Sequence, residues 1–180
     1  LYFISNLLCI QICYTYTERR GVVVAVHLHT RSCYTLLEST LKIQDIVALA
    51  KTKQMDAIAL CDCNVMHGAM AFFHACTKAN IKPIFGLEFE VLINEQHIQL
   101  LAYAKTDIGF QSLLALSSHI NTVDEPLTVE TVRSFDRDLI ICSAGNNDDL
   151  RKLNSYEDKS ELEEILKLFK HSFVEFYIAI

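Results

Sequence analysis

The sequence predicts an α/β fold in which a mostly parallel sheet is covered by helices. Three observations carry that expectation. Short β-branched runs alternate with segments of helical periodicity, the order strand, helix, strand, helix, strand runs from Gly21 onward, and polar residues able to do chemistry fall just after the apolar runs. Either a β/α barrel or a doubly wound sheet satisfies this pattern, and in both the ligands gather at the carboxyl ends of the strands.

The elements follow in order. The valine-rich run at residues 22–26 predicts a strand buried on both faces. Ile43, Ile46, Val47 and Ala50 recur at helical spacing, and residues 57–60 return to a short apolar strand. Ala69, Phe72, Phe73 and Cys76 mark one face of a second helix, and residues 81–91 contain the next strand. The connection at residues 93–96 is too short for a crossover helix, so this strand and the one at 97–103 form a hairpin. Helices are expected at residues 108–119, with Asp107 as N-cap, and at 128–133, followed by a strand at 139–143. Ser160 and Glu163 form a capping box ahead of Leu162, Ile165, Leu166 and Phe169, and residues 173–180 read as a last strand. The polar stretch 146–159 reads as a surface connection.

With 180 residues, 51% hydrophobic and 21% charged, 5 Gly and 2 Pro, the chain has the composition of one packed domain and not of a disordered or low-complexity segment. The balance of 16 Lys and Arg against 22 Asp and Glu, a net charge of −6, excludes a broad basic face for gripping a phosphate backbone. If nucleic acid is a partner, other parts of a larger protein hold it. The 7 cysteines are odd in number and scattered through apolar segments, which points to a reducing cytoplasm and not to a disulfide framework. Residues 1–16 are apolar but too short and too interrupted to span a bilayer, which takes about 20 apolar residues, and they lack the basic start of a signal peptide.

Chemistry is expected where the strands end. His27 and His29 stand at i and i+2, a spacing that in unbroken extended backbone turns both rings to one side, where two nitrogens can converge on one cation. Asp62 closes the next strand within Cys61-Asp62-Cys63-Asn64, either as a hard ligand or imidazole partner or, with Asn64, as a cap for the following helix. Glu88 sits in the third strand where an anionic ligand would bridge metals, and the hairpin is expected to return His97 to its reach. His67, His74, His119 and His171 read as solvated or structural. The sequence holds no Walker loop, dinucleotide fingerprint, nucleophile elbow or Cys/His nucleophile pair.

The succession His27-Leu-His29, Ala57-Ile-Ala-Leu-Cys-Asp62, Gly68-Ala-Met-Ala-Phe-Phe, Ile81-Lys-Pro-Ile-Phe-Gly-Leu-Glu88, His97-Ile-Gln-Leu-Leu-Ala and Gly109-Phe-Gln-Ser-Leu resembles the PHP (polymerase and histidinol phosphatase) domains found at the N terminus of bacterial DNA polymerase III alpha subunits. Asn64-Val-Met-His-Gly68 is similar to the form found in Firmicutes. The resemblance implies a distorted seven-stranded β/α, TIM-like barrel, truncated here before its last strand, with residues 1–21 as an unmatched extension and 22–180 as a partial PHP domain. It also implies divalent metal ions (zinc, manganese or magnesium) held by His27, His29, Asp62, Glu88 and His97. The implied activity is metal-dependent phosphoesterase or 3′-5′ exonuclease chemistry, with DNA synthesis by the parent polymerase. DNA and other replisome subunits are then the partners, in the cytoplasm and without a membrane. A stand-alone phosphoesterase of the histidinol-phosphatase kind is the alternative.

Three departures weaken the implied site. Cys63 replaces the histidine that follows the aspartate in the family, Gly145 falls near a family cysteine, and the last Asp-x-His motif lies beyond Ile180. A structural role for the domain is therefore carried beside hydrolysis. The stretch Glu18-Arg-Arg-Gly21 is what a translated ribosome-binding sequence would encode, so residues 1–20 are expected to precede the true start, and the apolar run ending at Ile180 is expected to continue.

Overall fold

The alternating pattern folds into a mixed sheet with helices on one face. The structure is a computed structural model that describes residues 9–10, 17–19, 22–24, 26–144 and 159–179. The elements are β1 (Cys9–Ile10), β2 (Thr17–Arg19), β3 (Val22–Val24), α1 (Ile43–Thr52), β4 (Ala57–Cys63), α2 (Ala69–Ala79), β5 (Lys82–Ile93), β6 (Gln96–Ala104), α3 (Asp107–Thr122), α4 (Val129–Ser134), β7 (Leu139–Ser143), α5 (Lys159–Ser172) and β8 (Phe176–Ala179).

The main sheet has the order β1-β8-β7-β6-β5-β4. β4 pairs with β5, and β8 with β7 and β1, in parallel, whereas β5–β6 and β6–β7 are antiparallel. The sheet is thus mixed, with three parallel pairings and two antiparallel ones. The reason is the hairpin, whose two turn residues Asn94 and Glu95 both have positive φ, 48° and 65°, as a tight turn matched to strand twist requires.

Side chains alternate across each strand, and the two faces differ in what they bury. One face of β5, β6 and β7, with Leu87, Phe89, Leu100 and Ile141, packs on Leu113, Val132 and Phe169 of α3, α4 and α5. Ile58 and Leu60 of β4 extend that layer against Ile46 of α1 and Phe72 of α2. The other face carries Ala59, Cys61, Leu101, Tyr103 and Cys142, with Leu28 packed on it. At Gly86 the side chains of its neighbours Cys61 and Tyr103 fill the space that a Cβ would take.

Three local expectations are corrected. Residues 22–24 are not the first strand of the main sheet but pair antiparallel with β2 in a separate two-stranded sheet. The place beside β4 is taken instead by residues 27–30, whose His27 and Thr30 carbonyls accept from Ala59 N and Cys61 N at 2.9 and 2.8 Å. Three steps on one side match two on the other, so the pleat is interrupted as in a bulge. The N-cap of α3 is Thr106, whose hydroxyl accepts from Gly109 N at 3.3 Å, and not Asp107, which lies inside the first turn. α5 begins at Lys159, and the Ser160 side chain and residues 146–158 lie outside the described residues.

A Cβ at Gly86 would stand 2.4 Å from Cys61 Sγ and 3.0 Å from the Tyr103 ring. Cys61 and Tyr103 are themselves held to the Leu28 carbonyl, so neither can yield freely. Gly86→Ala is expected to cost about 1–3 kcal/mol, the usual range for overpacking, and to lower the thermal midpoint; an unchanged midpoint would show that the Cys61 and Tyr103 side chains can move aside.

Candidate functional site at the carboxyl ends of β4 and β5

The segment carrying the two histidines is fastened to the sheet before any site chemistry begins. The Leu28 carbonyl accepts from Tyr103 Oη at 2.9 Å and from Cys61 Sγ at 3.3 Å. Burial pushes both the Cys61 thiol and the Tyr103 phenol up, which keeps them protonated as donors. Residues 31–41 then leave the sheet as a loop closed by Cys33 N to the Leu41 carbonyl at 2.7 Å and by Ser39 Oγ to the Arg31 carbonyl at 3.0 Å.

Two acids anchor that loop, one on each face of the sheet. Asp62, 2% exposed, accepts from Ser32 N at 2.6 Å, Ser32 Oγ at 2.7 Å and Thr35 Oγ1 at 2.9 Å. Thr35 Oγ1 in turn accepts from Cys63 N at 3.1 Å, so the loop and the end of β4 share one network. Glu88, with a side chain 1% exposed, accepts from Arg31 Nε at 2.6 Å and from Arg31 Nη2, and lies 2.9 Å from His29 Nε2. Arg31 Nη1 donates to Glu38. Burial alone would raise the Glu88 carboxyl, but the hydrogen bonds from His29 and Arg31 and their charges hold it below the usual range.

The register decides which groups can meet. Asp62 pairs with Leu87, and Cys63 with Glu88, so Cys63 shares the face of Glu88 and Asp62 lies on the opposite one. Burial first, and then the charges of Glu88 and Glu38, push the Cys63 thiol up to about 11. His97 pairs with Leu92, four rungs from Leu101, the partner of Glu88. That is roughly 13 Å along the strand. Its side chain is 64% exposed, with Nδ1 3.4 Å from Glu90 Oε2, beside an open cleft of about 180 Å³ that it lines with Asn64, Glu90, His119 and Glu125. His27 is exposed, and its carbonyl serves the β4 edge.

The structure therefore brings together His29 and Glu88, adds Arg31 to them, and leaves Asp62 and His97 elsewhere. Arg31, Ser32 and Thr35 are the partners that sequence reasoning missed. The one signal in the sequence is Arg31 at i+2 from His29 and i+4 from His27, a cation in step with the two imidazoles.

Comparison with known proteins gives this geometry a lineage. The PHP domain matches residues 27–180. The chain belongs to the PHP domain family. This PHP domain is 34% identical over 140 residues to DNA polymerase III subunit alpha of Staphylococcus aureus strain MRSA252, covering 75% of this chain and 13% of that protein. It is 39% identical over 120 residues to the protein of the same name from Halalkalibacterium halodurans, covering 64% and 11%. The chain thus spans only 11–13% of these relatives. Two crystal structures share the fold. An amidohydrolase from Chromobacterium violaceum has a TM-score of 0.59 at 12% identity and covers 85% of this chain and 75% of its own. A protein from Bifidobacterium adolescentis assigned as a metal-dependent phosphoesterase has a TM-score of 0.55 at 10% identity, with coverages of 84% and 76%.

The family implies divalent metal, and the donor set of this PHP domain does not fit it. Among the described residues no three of His, Cys, Asp or Glu form a group that could hold a metal ion. Both oxygens of Glu88 are taken by Arg31, both of Asp62 by Ser32 and Thr35, and the two acids face opposite ways.

Asp62→Ala would leave Ser32 N, Ser32 Oγ and Thr35 Oγ1 without their acceptor. Hydrogen bonds to a charged group contribute roughly 1.5–3 kcal/mol each, so the loop is expected to lose protection from hydrogen exchange over residues 31–41 while β6 and β7 keep theirs. Asp62→Asn, which retains one acceptor oxygen, is expected to fall between wild type and alanine in the same measurement.

Proposed function

We propose that this chain is the PHP domain of a DNA polymerase III alpha subunit and that it serves the polymerase as an architectural domain. DNA-directed DNA synthesis then belongs to the parent protein, DNA and other replisome subunits are reached through the rest of it, and the location is the cytoplasm. The observation that carries the architectural role is the occupation of both acids by the chain's own donors, Glu88 by Arg31 and Asp62 by Ser32 and Thr35. Identities of 34% and 39% to two polymerase III alpha subunits support the choice of parent over a stand-alone histidinol-phosphatase-like enzyme. The net charge of −6 agrees with a domain that does not itself grip DNA. Among the described residues no helix is long and apolar enough to cross a membrane.

The sheet, with helices on one face, supports a PHP-type barrel in the parent protein, seven-stranded as the family resemblance implies. A second function, metal-dependent phosphoesterase or 3′-5′ exonuclease, is favoured by the likeness to the Bifidobacterium structure and by the placement of His29 and Cys63 beside Glu88. In that case zinc, manganese or magnesium would have to displace Arg31 from Glu88, and His27, Asp62 and His97 would have to move to join it.

The test uses the full-length protein that contains this chain. Primer extension with deoxynucleoside triphosphates is expected, and its absence would overturn the polymerase assignment. Degradation of a 3′-mispaired primer in Mn²⁺ is expected to be the same in wild type and Glu88→Gln. Loss of that degradation in both Glu88→Gln and His29→Ala would instead establish hydrolysis at this site.

A further inference from the structure

Glu88 is a buried acid whose two oxygens both accept from one guanidinium. Arg31 donates through Nε and Nη2 to Glu88 and through Nη1 to Glu38, using all three of its nitrogens. A planar fork can give Glu88 two separate bonds and still reach Glu38, whereas a lysine ammonium gathers its three donors on one atom and cannot form the fork. The backbone of the same residue closes the loop, since its carbonyl accepts from Ser39 Oγ at 3.0 Å. The group that neutralises the acid therefore also orders residues 31–41. A metal ion on Glu88 would need the lone pairs that the fork occupies and would set a second cation against the first.

We propose that Arg31 is the resident cation of this site: its guanidinium holds the position on Glu88 that a divalent metal ion would fill, and it makes the order of residues 31–41 independent of metal. The inference rests on the membership of the PHP family and goes beyond the architectural role by naming the group that replaces the metal. His29 completes the arrangement as a third nitrogen on the same carboxylate, 2.9 Å from Oε2. Removing the guanidinium frees the lone pairs of Glu88 beside the His29 imidazole, with Cys63 on the same face, so that Mn²⁺ or Zn²⁺ can compete for a carboxylate that Arg31 otherwise fills.

The experiment compares the full-length protein with its Arg31→Gln, Glu88→Gln and Arg31→Gln/Glu88→Gln variants. Each is dialysed against chelator and then read by elemental metal content after addition of Mn²⁺, and by peptide-level hydrogen exchange over residues 31–41. Wild type is expected to retain no stoichiometric Mn²⁺ at this site and to show the same protection in chelator and in Mn²⁺. Arg31→Gln is expected to lose protection in chelator and to recover it, with bound Mn²⁺, when the metal is added. The double variant, which lacks both charges, is expected to be better protected than Arg31→Gln in chelator and indifferent to metal. Bound Mn²⁺ in wild type that disappears in Glu88→Gln would overturn the proposal, as would an Arg31→Gln protein protected like wild type and blind to Mn²⁺. Should Arg31→Gln fail to fold in either condition, the double variant decides: recovery of the fold supports the proposal, and continued failure overturns it. Primer extension by the same preparations separates the two conclusions, because it tests the polymerase assignment whatever the metal result.

Discussion

A carboxylate withdrawn from water needs a compensating charge or a full set of hydrogen bonds, and the site is organised around the charge that compensates Glu88. The acid lies in the middle of a strand paired on both sides, with a side chain 1% exposed. Positive charge has to come to it from another element. The segment at residues 27–30 is laid along the β4 edge by backbone bonds to Ala59 and Cys61 and by side-chain bonds from Cys61 and Tyr103, and this delivers His29 and Arg31 to the acid. With one partner of such a buried pair removed, the remaining charge would cost about 3–5 kcal/mol. The small residues on this face, Ala59 and Gly86 among them, leave the room that the arrangement needs.

Much of the fold is legible in the sequence because each helix and strand buries one regular face. Ile43, Ile46, Val47 and Ala50 are the buried positions of α1, and the hairpin of β5 and β6 follows from a connection too short to cross over. The site is less legible, for reasons of register. Alternation within a strand separates Asp62 from Cys63, but only the pairing of β4 with β5 shows that Cys63, and not Asp62, stands opposite Glu88. The hairpin likewise predicts that His97 follows a turn, but not that β5 continues to Ile93, which leaves His97 four rungs past Glu88. The i, i+2 argument for His27 and His29 presupposes an unbroken pleat, which the extra residue before Thr30 interrupts.

The likeness to two solved structures at only 10–12% identity shows how little the fold requires of individual side chains. Helix-facing positions such as Leu87, Phe89 and Leu100 need only be apolar and of suitable volume, so many sequences satisfy them. The polar end of the sheet has less latitude. Each buried donor and acceptor there must find a partner, and changing one residue such as Arg31 changes the partners of Glu88 and of the loop that depends on it.

The loop at residues 31–41 also bears on the kinetics of folding. Ser32 and Thr35 reach Asp62 across 30 and 27 residues, and Arg31 reaches Glu88 across 57. The Arg31–Glu88 contact closes the longest of these loops, with α1, β4 and α2 between its partners, and so carries the largest closure entropy. Nearer contacts are cheaper to close than this ion pair. An interaction absent from the folding transition state acts chiefly on the rate of unfolding, and in that case the pair would be a latch whose strength sets how long the domain stays closed more than how fast it forms.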